Sequence, residues 1–455
     1  MSQGSHTRDE IRKELLPQFE ELVDAVYQAR QQDSSMDAEA TIAKAGDVLS
    51  ARAIGQWLLF FDRDDNLIRV DDRLYYRLGE PVEKTYSTRR GEVRPGRHLY
   101  RPLGKHNGAT RCPLELSAGL VQGQWTPGCA EAMAYVAQEL PERSAAKVAA
   151  RLGAMDYSYS SFQRVRSVLA DRWESDRDIY EDQVIEAVDI PKNTCRMAVA
   201  IDRVSLPMKE ETGIHYRMAY CGTVTLYDEK GEPLKTLRYG RIPYEGAYIL
   251  REQMRYDVEA LLRRCPELDV ICLSDGAKEL CNILDDDYPQ ACARYIDFYH
   301  VVEKLAAAIK AYANHRPLRR SAADMIDDWR LRLFNNESAV DELEAIMTRW
   351  NVRHLKVGDK KPVHEALTYI ENHREQMRYA EARKKGHPIG SGHVETCCKQ
   401  LVQSRMKRSG QRWKERGGQA VLTLRSLATD ARWDVAMDVL MPTFRQSVEA
   451  ADQAA

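Results

Sequence analysis

No run in the chain approaches the roughly eighteen consecutive apolar residues that a membrane-spanning helix needs, so no membrane partner is expected. Cysteine is sparse as well. Ten in 455 residues, with no Cys-x-x-Cys pair, are too few for a disulfide-stapled scaffold, and the adjacent Cys397 and Cys398 are poorly placed to share one zinc. The polar, charged start lacks the apolar core of a signal peptide, and a cytoplasmic location is expected. Nor is one sign of charge in excess. A formal net charge of -2 excludes a uniformly basic coat for nucleic acid.

What is present is a folded composition, 44% hydrophobic and 30% charged, in a length that suits about three domains. The charge is divided along the chain. Residues 371–420 hold twelve Lys or Arg against five Asp or Glu, whereas the first seventy residues are rich in acids.

Spaced apolar positions in EELVDAVYQARQ and ARAIGQWLLFF predict a helical region over 1–66, suited to packing or self-association. Over 67–125 short alternating pieces broken by Gly and Pro predict a small β-rich module. The Thr126-Pro127-Gly128 start and the two segments after it predict a helical region over 126–192. Three short helices of this kind fit either a helix-turn-helix, with Arg164 and Arg166 offered to DNA, or a plain bundle.

From 193 to 300 the texture is α/β: three strands, a helix, a strand ending at Asp275-Gly276, a helix, and a strand-to-helix transition near Asp297–His300. Ribonuclease H-like domains are assembled in this order, and other α/β folds also accommodate it. A helical insertion is expected over 301–385, a further helix with a basic segment over 386–440, and a frayed tail over 441–455.

Asp202 and Asp275 each stand at the end of an apolar strand, and Glu395 lies in a helical run three residues after Gly392. Phosphodiester chemistry needs an activated oxygen nucleophile and a neutralised leaving oxygen. Two divalent ions about 3.5 to 4 Å apart supply both, and carboxylates are the hard ligands that hold Mg2+ or Mn2+. These three acids are therefore the candidate catalytic and metal-binding set. On a regular helix His393 faces away from Glu395, so it is assigned to the surface or to a cap. Lys399, Arg405, Lys407, Arg408, Arg412 and Lys414 form a basic series suited to phosphate, and Trp413 among them fits either base stacking or a core. Asp285–Asp287, followed by Tyr-Pro, are expected to be solvated in a loop.

The blocks VAIDRVSL, CLSDGAKEL and GSGHVETCCKQLVQSRMKRSGQRW resemble the three acidic blocks of the DDE transposases of bacterial insertion sequences, most closely the Kra-type group. The resemblance covers roughly residues 65 to 440. It implies metal-dependent cleavage at transposon ends, followed by attack of a 3′ hydroxyl on target DNA, with Asp202, Asp275 and Glu395 binding two ions of Mg2+ or Mn2+. It also implies double-stranded DNA as partner, a homodimer or larger assembly, and a nucleoid location when bound. Asp297 and His300 match an Asp-x-x-His element that in related enzymes supports the site or contacts DNA. Similar proteins carry a β-ribbon with a zinc-type cysteine pair near residue 112, and the single Cys112 speaks against zinc here. Arg203 stands where relatives often have glycine. Two alternatives have distinct signatures: a domesticated DNA-binding derivative binds without cleaving, and a nuclease of ribonuclease H-like fold cuts without joining.

Overall fold

The computed structural model describes residues 7–105, 107–153, 155–315, 320–350 and 352–451. The chain forms two compact units, Met1–Val184 with Trp433–Ala455, and Ile185–Arg432. Among the described residues no helix is long and apolar enough to cross a membrane.

The first unit opens with two helices, Arg8–Ala29 and Ser35–Leu59, each started by a hydroxyl cap at Thr7 or Ser34. Short strands follow, and then helices Pro127–Glu139, Glu142–Leu152 and Tyr159–Ser175. The tail is a correction to the frayed end expected from its polarity. Glu449 and Ala450 pair with Arg69 and Ile68 at the edge of a four-stranded sheet, Val448 is buried, and residues 452–455 lie outside the described residues.

In the second unit β1 (Arg196–Glu210), β2 (Gly213–Tyr227) and β3 (Pro233–Arg241) form an antiparallel meander. After α1 (Gly246–Arg264), β4 (Asp269–Ser274) joins β1 in parallel; after α2 (Lys278–Asp287), β5 (Ala293–Ile296) joins β4 in parallel. The sheet order is β3-β2-β1-β4-β5, an α/β arrangement.

Strand alternation divides the core between the two faces. Met197, Val199 and Ile201 pack with Leu250, Met254 and Val258 of α1 and with Leu280 of α2. Ala198 and Ala200 face the other way, with Ile271, Leu273 and Tyr295, where their small side chains leave room for Ala382 and Val394.

A helical section follows: α3 (Phe298–Ala313), α4 (Ala322–Asn335), α5 (Ala339–Thr348), α6 (Val357–His373) and α7 (Tyr379–Lys384). It closes on its own core, in which Trp350 stacks on Tyr312 and Trp329. The chain then returns to the sheet through α8 (Gly392–Cys397), a π-helical segment Cys398–Gln403, α9 (Ser404–Met406) and α10 (Glu415–Thr429).

Asp285–Asp287 form the last turn of α2 and not a loop, although Asp285 and Asp286 are exposed as expected. Arg251 grips Asp287 through two hydrogen bonds of 2.7 Å, and Arg294 pairs with Asp285, so Asp285 and Asp287 anchor neighbouring elements.

Beyond the C-terminal end of α10, Asp430 is buried. It accepts from the Arg238 backbone N–H at 2.8 Å and from Arg432 Nε at 2.9 Å, while Arg432 also donates to the Arg238 carbonyl at 2.8 Å. Removing one partner of such a pair strands the other charge without solvent. Asp430→Ala is predicted to destabilise this unit by about 3 to 5 kcal/mol, measured by urea unfolding; a loss under about 1 kcal/mol would show that Arg432 finds other partners.

Candidate metal centre

Sheet register places three aspartates level with one another. Ala200 pairs with Leu273, and Leu273 with Tyr295, so Asp202, Asp275 and Asp297, each two residues further on, mark one level across β1, β4 and β5. Each also shares strand parity with residues of the Val394-facing core, which directs all three toward the face covered by α8. Glu395 is on α8 beside Val394. Arg203, one residue past Asp202, turns to the opposite face and pairs with Glu279 of α2.

Asp202 is half-buried. It accepts from the Arg203 backbone N–H at 2.6 Å and from the Cys398 thiol at 3.4 Å. Burial raises its pKa, those hydrogen bonds oppose the rise, and the charge of Asp275 adds to it. Asp275 accepts from the Ala277 N–H at 2.8 Å, and its carbonyl receives the Tyr369 hydroxyl at 2.6 Å. Gly276 is required at this turn. Its φ is +84°, and a Cβ there would lie 2.6 Å from the Tyr369 hydroxyl oxygen.

Asp297 is fully buried and fully engaged. One carboxylate oxygen caps α3 by accepting from the His300 N–H at 2.8 Å and faces His300 Nδ1 at 3.2 Å; the other accepts from the N–H of Ser391 and, at 2.8 Å, from its hydroxyl. Burial works to raise its pKa, but the bonds from His300 and Ser391 outweigh burial and hold it below the ordinary carboxylate range. Conversely His300 is raised to about 9, first through its bond to Asp297, against burial, and further by the charges of Asp297 and Asp275. Its Nδ1 lies 3.9 Å from Glu395 Oε1.

Ligand-type atoms of Asp297, His300 and Glu395 all fall within 4.8 Å of one another, while Asp202 and Asp275 stand outside that tight group. Asp297 nevertheless has its oxygens filled by hydrogen bonds, which makes it a poor ligand and a good positioning residue. Among the described residues no Lys or Arg side chain pairs with Asp202, Asp275 or Glu395. Partly buried carboxylates that repel, with the His300 imidazolium as their neighbouring positive charge and no Lys or Arg paired to them, fit a hard divalent ion such as Mg2+ or Mn2+.

A scan against protein-family models finds no match, and a search of curated proteins finds none.

The basic series divides on burial. Lys399, Lys407, Arg408, Arg412 and Lys414 are exposed. Arg405 is 0% exposed beneath the Trp413 ring, so it is removed from the surface series. Trp413 is core: its Nε1 donates to the Met406 carbonyl at 2.8 Å, and its backbone bonds to Pro207 and Lys209. Arg166 is likewise corrected. Buried and paired with Glu142, it cannot face DNA, whereas Arg164 on the same helix is exposed above Trp125. His393 packs its ring edge-on to Tyr227, neither capping α8 nor fully exposed. Cys112 is buried before a short helix, where burial pushes its thiol up to about 11. Sequence reading missed Cys398; its spacing of three from Glu395 was the available signal, since i and i+3 share a helix face.

Because the folded pKa of Asp202 is raised, its ionised form opposes folding. That penalty is absent below the unfolded carboxylate value of about 3.9 and grows as pH rises through the folded value. Metal-free Asp202→Asn is therefore predicted to melt higher than the native chain at pH 7 and equally at pH 3.5. Mn2+ should raise the melting temperature of the native chain more than that of the variant. A variant that melts lower at pH 7 without metal would contradict this electrostatic account.

Proposed function

We propose that the chain is a DNA strand transferase of the transposase type, with Asp202, Asp275 and Glu395 as its divalent-metal ligands. One observation carries this reading: Asp202 and Asp275 stand at one level on the sheet face that α8 covers, and α8 carries Glu395 next to Val394 of that face's core. The order β3-β2-β1-β4-β5, with a meander followed by two parallel strands and a helical section before the third acid, supports a ribonuclease H-like catalytic domain with a helical insertion.

When bound, Mg2+ or Mn2+ activates a hydroxyl nucleophile and stabilises the leaving oxygen. Placement falls to the protein. Asp297 fixes Ser391 and so the start of the Glu395 helix, and His300 supplies positive charge among the acids. Exposed Lys399, Lys407, Arg408, Arg412 and Lys414 suit contacts to DNA phosphates, and Arg164 suits a similar contact from the first unit.

The test is cleavage and joining on DNA that flanks the coding sequence, with Mn2+ or Mg2+, comparing the native chain with Glu395→Gln. Joined products are expected from the native chain, with a loss of at least about 100-fold in the variant. Cuts without joining would favour a nuclease, and tight binding without chemistry in either protein would favour a DNA-binding derivative.

Synapsis of two DNA ends calls for at least two copies. In the helix Arg8–Ala29, Leu16, Phe19, Val23 and Val26 follow the 3-4-3 spacing of a coiled-coil seam and are 45–52% exposed. The double variant Phe19→Glu, Val23→Glu is predicted to convert a dimer to a monomer by light scattering with little change in melting temperature. A mass identical to that of the native chain would exclude this seam as the interface.

A further inference from the structure

A second group of ligand-type side chains lies at the opposite end of the sheet from the acids. Asp269 opens β4, Cys292 immediately precedes β5, and His387 follows α7; one ligand atom from each lies within 4.8 Å of the other two. None of them belongs to the acidic centre.

Three segments hold this group in place. The Cys292 N–H donates to the Val270 carbonyl at 2.9 Å, and the Asp269 N–H donates to the Cys195 carbonyl at 3.2 Å. The His387 N–H donates to the Ala382 carbonyl at 2.9 Å, and His387 Nδ1 meets the Tyr295 hydroxyl at 3.0 Å. That contact occupies one ring nitrogen, orients the imidazole, and leaves Nε2 for a ligand, which is how outer-shell partners prepare a metal-binding histidine. Arg196 approaches Asp269 only to 4.0 Å, a weak pairing for a half-exposed carboxylate.

We propose that Asp269, Cys292 and His387 form a zinc-type metal site whose fourth position is open to water. One sulfur, one nitrogen and one oxygen ligand match the preferences of Zn2+, whereas the all-oxygen acids favour Mg2+ or Mn2+, so the two sites select different ions. Binding breaks the Cys292 S–H bond, forms a sulfur–metal bond and releases one proton to solvent, so affinity rises with pH. Cys292 and Asp269 are exposed, which gives the ion an entry path.

The location has a mechanical consequence. From His387 to Ser391 the chain runs beside β5, with the Phe298 N–H donating to the Ile389 carbonyl at 2.9 Å, and Asp297 secures its far end at Ser391. Metal at the near end would fix the start of the connector that carries Glu395. The metal site itself does not depend on the strand-transfer reading.

The experiment titrates the full chain with Co2+ and with Cd2+, follows thiolate-to-metal charge-transfer absorption, and obtains Zn2+ affinity by competition. The expected result is one such site per chain, lost in Cys292→Ser and unchanged in Asp202→Asn. Tyr295→Phe should weaken Zn2+ by about 10- to 100-fold, a readout that leaves all three ligands in place. A native chain without the absorption, or absorption that persists in Cys292→Ser, overturns the site. Should the serine variant fail to fold, His387→Ala carries the same test, with unchanged Zn2+ affinity as the overturning result.

Discussion

Segments ninety-four residues apart meet at the carboxylate of Asp297. One of its oxygens starts α3 and the other holds Ser391 just before the Glu395 helix, so a buried charge sets the position of the third acid relative to the sheet. Burial of a carboxylate is costly unless hydrogen bonds replace its water, and here the donors of His300 and Ser391 do so. The close packing of Gly390 follows from the same contact. A Cβ at that position would lie 3.2 Å from the Tyr299 ring, so the loop reaches Asp297 because it carries no side chain there.

Asp202 and Asp275 stand in a different situation. Their hydrogen bonds are few, they repel each other, and burial disfavours the charge on Asp202. A fold gains nothing from such a pair, and functional centres commonly retain electrostatic strain of this kind. The charged His300 beside them relieves part of the repulsion in the absence of a metal.

Much of this frame was legible in the chain. The unbroken apolar run Met197–Ile201 marks a strand buried on both faces, and an acid at its end is visible without coordinates. Register was not legible. Nothing local states that β4 pairs with β1 so as to set Asp275 level with Asp202, because strand order and offset come from packing between distant segments. Burial of long cations was misjudged for a similar reason. Arg166 and Arg405 look like surface residues in sequence, but both are buried against partners from other segments. Trp413 hides in a basic stretch because its core neighbours, Met208 among them, lie about two hundred residues earlier. The cluster of Asp269, Cys292 and His387 shares no spacing motif, since three separate segments supply it.

Carboxylates from the middle of β1, from just past β4 and from α8 are proposed to bind one divalent centre. Anomalous scattering from crystals soaked in Mn2+ tests it most directly. A peak within coordination distance of Asp202, Asp275 and Glu395 is expected; Mn2+ absent from these three residues, with strong peaks elsewhere on the same chain, would contradict the proposal.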